Sequence, residues 1–209
     1  VTTALSLAVD NGGNVYVGGD FKTAGGVSAM SIARWDGAGW NALGQGVSGC
    51  PLASCTSIYV AAMAFDGLGN LYVGGRFSHA GPNGGLINVA RWDGSHWYGL
   101  GLGTNDAGSV AALQVDASNR VYVGGSFTSV NGGMAASRMA SWNGSSWSAL
   151  ASGTNNTVNA LALDPAGRLY VGGAFSTTGG QTSANIAQWL PDSDNDGTPD
   201  INDVFPQNP

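Results

Sequence analysis

Acidic charge in this sequence comes from a single residue type, and basic charge is scarce. All 13 acidic residues among the 209 are Asp, because the chain contains no Glu. Only seven residues are Lys or Arg, and Lys22 is the sole lysine. Charged residues make up 10% of the chain, whereas about a quarter is usual. Without a basic patch, we expect no nucleic-acid partner.

Long apolar runs are also missing. The longest run, residues 58–65, is far shorter than the roughly 20 residues that span a bilayer, so no membrane span is predicted. Hydrophobic residues still make up 43% of the chain, enough for a packed core. The 35 glycines follow no triplet period, which excludes collagen and favours an all-β protein with many turns. Because Val1 stands where Met would begin a new chain, we expect a processed N-terminus.

Cysteine is limited to one pair, Cys50 and Cys55. Two cysteines this close in a turn-rich loop predict a local disulfide, and a disulfide implies an oxidising compartment. Two free thiols are the alternative. A metal site would need more ligands, and no His lies nearby.

Repetition is what the sequence has in abundance. A Tyr-Val-Gly-Gly motif flanked by an aliphatic residue and Phe occurs four times, and its tyrosines are 56, 50 and 48 residues apart. The longer first interval holds the cysteine loop, so residues 47–56 are interpreted as an insertion. The four copies are Val15–Phe21, Leu71–Phe77, Val121–Phe127 and Leu169–Phe175.

Each copy has the same order of elements. An apolar segment ends in an Asp six residues before the Tyr, a short turn follows, and the Tyr-Val-Gly-Gly segment comes next; this is a hairpin pattern. After a Gly-rich loop, a third strand ends in Trp, and in three copies a Trp-x-x-Leu strand completes the unit. One such sheet cannot bury both faces alone, but several stacked around an axis can. The sequence therefore predicts an all-β propeller of four repeats of about 50 residues.

The predicted domain covers residues 1–190, and a tail covers 191–209. The fourth copy runs from Trp189 directly into Leu190 and Pro191, so the last blade is predicted to lack its outer strand. Four repeats could close as a four-bladed ring or belong to a larger one. Because an unpaired strand edge invites a strand from another chain, we expect self-association into oligomers or filaments. The repeats are about 1–46, 57–104, 108–154 and 156–190.

These motifs resemble known families. The Tyr-Val-Gly-Gly strand, the strand ending in Trp-Asp-Gly and the Trp-x-x-Leu strand resemble a kelch or galactose-oxidase-like propeller blade. They are closer still to the repeats of fungal cortical polarity-marker proteins and of secreted bacterial repeat proteins. The resemblance implies the fold of about residues 1–190 and says little about activity. No set of Tyr, His and Cys matches the copper ligands of galactose oxidase, so that activity is not implied.

Five of the 13 Asp residues crowd into residues 192–203. They occupy positions 1, 3, 5, 9 and 12 of a 12-residue loop with Gly at position 6, which suits the oxygen coordination of calcium. The pattern resembles a thrombospondin type 3 repeat, including the Val204, Phe205 and Pro206 that follow. A solvated acidic tail is the alternative. The predicted Ca²⁺ ligands are Asp192, Asp194, Asp196, Thr198, Asp200 and Asp203.

No catalytic set is recognisable, so we do not expect an enzyme. His79 and His96 lie in loops of one repeat only and are interpreted as surface residues. The tryptophans are expected to pack between blades, with a ring of exposed, ligand-stacking tryptophans as the alternative.

The function expected from these features is that of an extracellular or cell-surface structural or adhesive protein. Calcium would stabilise it, and its subunits would complete one another by strand addition. A lectin-like module that binds glycans or a surface protein is the second interpretation.

Overall fold

β-Strands make up all the regular secondary structure in the described part of the chain. The computed structural model describes residues 3–50, 57–105 and 108–189, and over these residues it contains 24 strands and no helix. Asp, Asn and Gly turns separate runs rich in Val, Leu, Ala and Tyr, which favour the extended backbone. The prediction of an all-β fold with propeller-like repeats is confirmed.

The four large sheets are antiparallel, and each corresponds to one sequence repeat; strands are numbered along the chain. Unit 1 consists of β1 (Thr3–Val9), β2 (Val15–Asp20), β5 (Ile32–Trp35) and β6 (Trp40–Ala42). Unit 2 consists of β8 (Tyr59–Phe65), β9 (Leu71–Arg76), β12 (Val89–Trp92) and β13 (Trp97–Gly99). Unit 3 consists of β14 (Val110–Val115), β15 (Val121–Gly125), β18 (Met139–Trp142) and β19 (Trp147–Ala149). Within the described residues, unit 4 has β20 (Val158–Leu163), β21 (Leu169–Gly173) and β24 (Ile186–Trp189).

The Gly-rich loop after each Tyr-Val-Gly-Gly strand forms a further small hairpin that the sequence pattern did not predict. These hairpins are β3 (Thr23–Ala24) with β4 (Val27–Ser28), β10 (His79–Ala80) with β11 (Asn83–Gly84), β16 (Ser129–Val130) with β17 (Met134–Ala135), and β22 (Thr177–Thr178) with β23 (Gln181–Thr182).

A short strand connects the first unit to the hairpin of the second. β7 (Val47–Ser48) pairs with β10, and single bridges Thr104–Val130 and Thr154–Thr178 recur at the matching places between later units. Val47 and Ser48 therefore belong to the repeated architecture, although they fall within the predicted insertion. Residues 51–56 of that insertion lie outside the described residues.

The core lies between neighbouring sheets. The first strands of the units contact one another in chain order, β1 with β8, β8 with β14, and β14 with β20. Three apolar clusters fill the spaces between consecutive units, with Phe77, Phe127 and Phe175 almost completely buried in them. Among the described strands, no comparable contact joins β20 to β1, so the array has two ends.

The turn between the first two strands of each unit is held by its Asp. One carboxylate oxygen accepts the backbone N–H groups two and four residues later; for Asp10 these come from Gly12 and Asn14, both at 2.9 Å. The other oxygen of Asp10 accepts the hydroxyl of Tyr16 at 3.3 Å. Burial alone would raise the pKa of Asp10. The hydrogen bonds from Gly12, Asn14 and Tyr16 have a larger combined effect in the opposite direction, so the pKa of Asp10 lies below its ordinary value. The carboxylates Asp66, Asp116 and Asp164 form the same pair of backbone bonds.

Candidate functional site

Each unit packs against the next through a glycine of its second strand. A Cβ atom added to Gly74 would lie 2.4 Å from Cγ1 of Val110, which is too close for any real contact. Valine thus fills the space that the missing side chain leaves, and the contact recurs in the pairs Gly18 with Val60 (2.5 Å) and Gly124 with Val158 (2.4 Å).

The second glycine of each motif has a different neighbour. A Cβ atom on Gly75 would lie 1.9 Å from the carbonyl oxygen of Tyr59 on the paired first strand. Neither Gly74 nor Gly75 has a positive φ. This glycine pair is therefore required by crowding and not by an unusual backbone φ.

Two tryptophans form hydrogen bonds between the outer parts of neighbouring units. The indole Nε1–H of Trp97 donates to the carbonyl of Leu43 in unit 1 at 3.0 Å, and that of Trp147 donates to Leu100 in unit 2 at 2.7 Å. Both indoles are almost fully buried, so these two pack between units and are not available as ligand-stacking surfaces.

In units 1, 2 and 3, the residue before the third strand contacts the segment that leads to the following unit. Asn88 has a φ of 64° and is completely buried. Its amide Nδ2 donates to Thr104 Oγ1 at 2.9 Å and to the carbonyls of Asn105 and Gly108 at 3.2 Å. The equivalent Ser31 and Arg138 donate to the carbonyls of Ile58 and Thr154 in the corresponding segments before units 2 and 4.

Sequence reasoning missed this linking position. A signal was present, because each copy has a polar residue immediately before the third strand. The four residues are Ser31, Asn88, Arg138 and Asn185, and their φ values lie between 63° and 67°.

Unit 1 exposes the face that in units 2, 3 and 4 is covered by the preceding unit. We call it the front face: Ala4, Leu7 and Val9 of β1, Val15 and Val17 of β2, and the indoles of Trp35 and Trp40. Leu7 is 67% exposed, whereas Leu113 and Leu161 at the same position of units 3 and 4 are 4% and 8% exposed. Val9 is 60% exposed. Val15, Trp35 and Trp40 line an open cleft of about 350 Å³ on this face.

Unit 4 exposes the opposite face, which we call the back face: Ala160 of β20, Tyr170 and Gly172 of β21, and Ile186 and Gln188 of β24. Ile186 is 66% exposed, whereas Ile32, Val89 and Met139 at the same position are 0–1% exposed. A Cβ atom on Gly172 would meet only Ala160 Cβ at 3.7 Å and the Asn185 carbonyl at 3.9 Å. This glycine therefore has an open space where its three counterparts hold a valine.

The edge of β24 is the second unusual feature of unit 4. β24 pairs with β21 on one side, and no strand among the described residues pairs with its other side. The equivalent strands β5, β12 and β18 each pair with a fourth strand. Residues that follow Trp189 lie outside the described residues.

A cavity of about 260 Å³ lies between units 1 and 2. Asp20, Lys22 and Cys50 are among its lining residues, together with the apolar Phe21 and Ile58. Cys55, the predicted disulfide partner of Cys50, is outside the described residues, so the pairing stays a prediction.

The structure does not describe the predicted calcium loop. Asp192, Asp194, Asp196, Thr198, Asp200 and Asp203 all lie beyond residue 189, and calcium binding stays a prediction. Within residues 3–50, 57–105 and 108–189, no three His, Cys, Asp or Glu side chains form a group that could hold a metal ion. His79 is exposed, as expected, and His96 lies in an exposed turn. No helix in this described part is long and apolar enough to cross a bilayer.

Comparisons with known proteins agree with the fold. The model of a β-propeller family described as a domain of unknown function, DUF5122, matches residues 165–200, which include β21, β24 and the start of the acidic segment. No curated protein matches the sequence.

Two solved structures of one protein have a similar fold. Both are described as the extracellular domain of BT4673 from B. thetaiotaomicron, in one case as a one-component and in the other as a hybrid two-component system. Their TM-scores are 0.56 and 0.57, with 11% sequence identity in each case. The similarity covers 91% and 92% of this chain, but this chain spans only 22% of the length of either structure. The chain is thus an all-β protein built from propeller-like repeats.

Proposed function

We propose that this chain is a non-enzymatic structural or adhesive protein of the extracellular space that functions as a self-associating subunit. The observation that carries the proposal is the open edge of β24, since the three equivalent strands each pair with a fourth strand. Unpaired N–H and C=O groups along a strand edge are satisfied when another chain adds a strand there. The subunit therefore has a natural point of attachment for a segment of a second copy.

Calcium has a stabilising role in this proposal. The acidic segment 192–203 follows β24 directly in the chain, and Ca²⁺ would neutralise five carboxylates that repel one another when no cation is present. Extracellular calcium modules bind with dissociation constants of about 10⁻⁴–10⁻³ M, which suits an extracellular location. The solved extracellular domains of similar fold, the sparse charge and the cysteine pair support the same location.

Electron microscopy of the purified chain tests the proposal. We expect multimers or filaments in millimolar Ca²⁺ and their loss when a chelator is added. Uniform single particles in both samples would contradict self-association and leave the lectin-like interpretation as the better one.

A further inference from the structure

The exposed faces at the two ends of the array correspond to the two sides of the contact that joins neighbouring units. Units 1, 2 and 3 each use a back face to cover the front face of the unit that follows, and the back face of unit 4 and the front face of unit 1 are left uncovered. We propose that the back face of one copy of this chain receives the front face of a second copy. This inference rests on the proposed self-association and names its surface.

The pairing follows from the internal contacts. Val60, Val110 and Val158 occupy the spaces beside Gly18, Gly74 and Gly124, and the residue of β1 at the same position is Ala4. Ala4 of the second copy therefore enters the space beside Gly172. Since alanine is smaller than valine, the contact between copies is less tightly packed than the contacts between units. Two copies therefore dissociate more readily than two neighbouring units of one chain separate.

The side chains around Ala4 and Gly172 also correspond to side chains of the internal contacts. In the first internal contact, the rings of Tyr16 and Phe65 meet edge to face with centroids 5.1 Å apart. At the ends, Tyr170 and Val9 occupy these two positions. Ile186, left 66% exposed, gains the cover that its counterparts have.

Electrostatics do not oppose the contact. None of the residues that define the front and back faces carries a charge, and Gln188 stands where unit 1 has Arg34 and unit 2 has Arg91. No residue of the two defined faces therefore loses the hydration of a charge, and burial of apolar surface drives the association.

The contact joins unlike faces, so it is heterologous. Such contacts close into a ring when the rotation between copies permits it, and otherwise continue as a filament. Two copies of four sheets give an eight-bladed ring, at the upper end of the usual range of about four to eight blades. Both assemblies use the same surface.

The test is sedimentation velocity of the full chain in millimolar Ca²⁺ over a range of concentrations, with three variants and one control. Gly172→Val fills the space on the back face, where the subunit itself has room for a side chain, and we expect a monomer. Leu7→Asp places a charge on the front face, and we expect association at least a hundredfold weaker. Ala4→Val restores the valine of the other units, and we expect association about tenfold tighter. Ser148→Val, on the exposed part of β19 away from both ends, is the matched control and should leave association unchanged.

Each variant is also checked for an unchanged circular dichroism spectrum and unfolding midpoint, so that loss of assembly is not loss of the fold. Assembly that persists in Gly172→Val and Leu7→Asp overturns the face pairing and leaves self-association by strand addition standing. A wild-type chain that stays monomeric at every concentration overturns both.

Discussion

At the scale of single residues, the first glycine of the pair in units 1, 2 and 3 is the contact point with the following unit. A side chain at Gly74 must displace Val110, because the distance to its Cγ1 would be 2.4 Å. We predict that Gly74→Ala lowers the free energy of unfolding by about 1–3 kcal/mol through overpacking. Urea unfolding followed by tryptophan fluorescence measures the change.

Gly172→Ala is the matched control, since it is the same substitution at the same position of unit 4, where the added Cβ has room. Its unfolding free energy should stay unchanged or rise slightly, as alanine restricts the unfolded chain. Equal destabilisation by the two substitutions would contradict the packing account.

Asn88 combines a buried amide with a left-handed backbone. Asn88→Ala leaves the carbonyls of Asn105 and Gly108 without their donor and forces alanine into a φ of 64°. We predict a loss of about 2–4 kcal/mol in unfolding free energy. Asn88→Gly should recover the part due to φ, and Asn185→Ala, at the exposed equivalent, should cost less than Asn88→Ala.

At the scale of single elements, we expect the turns between the third and fourth strands of units 1 and 2 to be pH-sensitive. Backbone N–H groups of His96 and Ser95 hold the pKa of Asp93 far below its ordinary value, and those of Ala38 and Gly39 lower the pKa of Asp36. A carboxyl group with a lowered folded pKa stabilises the fold above its unfolded pKa, about 3.9, and this stabilisation is lost as pH falls through the folded pKa. Both turns therefore weaken in acid.

Unit 3 supplies the control for this effect, because Asn143 makes the same turn with bonds of 3.0 and 2.8 Å from the N–H groups of Ser145 and Ser146. We predict that the double variant Asp36→Asn, Asp93→Asn is less stable than wild type at pH 7 and that the difference shrinks between pH 4 and pH 2. Asn143→Asp should steepen the acid transition. Urea midpoints at several pH values measure both, and parallel curves would refute the prediction.

The sequence predicts the long strands because their pattern is local. The Asp-turn-Tyr spacing and the third strand that ends in Trp predict the four strands of units 1, 2 and 3 to within one or two residues of their observed bounds. The two-residue hairpins such as β3 and β4 escaped prediction, since Gly-rich loops contain no apolar alternation. The polar linking residue Asn88 was missed because its partners lie 16 to 20 residues away, in the segment that connects units 2 and 3. The end faces could not be predicted, because exposure at Leu7 and Ile186 depends on which units are neighbours.

At the scale of the whole molecule, we expect the acidic tail to make the protein respond to calcium. We predict that the full chain binds Ca²⁺ with a dissociation constant of about 10⁻⁴–10⁻³ M, and that Asp194→Asn with Asp196→Asn weakens binding more than tenfold. Isothermal titration calorimetry gives both values. Ser193→Ala is the control, because position 2 of the loop supplies no predicted ligand. Equal affinity in all three proteins would refute the proposed ligand set.

The contacts between first strands determine how the array opens. Among the described strands, the main contacts of each unit are with its neighbours, so units 1 and 4 are covered on one side and units 2 and 3 on both. Arrays of this kind open from their ends, because an end unit breaks one contact on leaving and an inner unit breaks two. Amide hydrogen exchange should therefore be slowest in β9 and β15 and faster in β2 and β21. If copies join at these faces, the end units are covered on both sides and the difference in exchange rate between inner and end strands disappears. The exchange rate of β21 therefore shows whether copies have assembled.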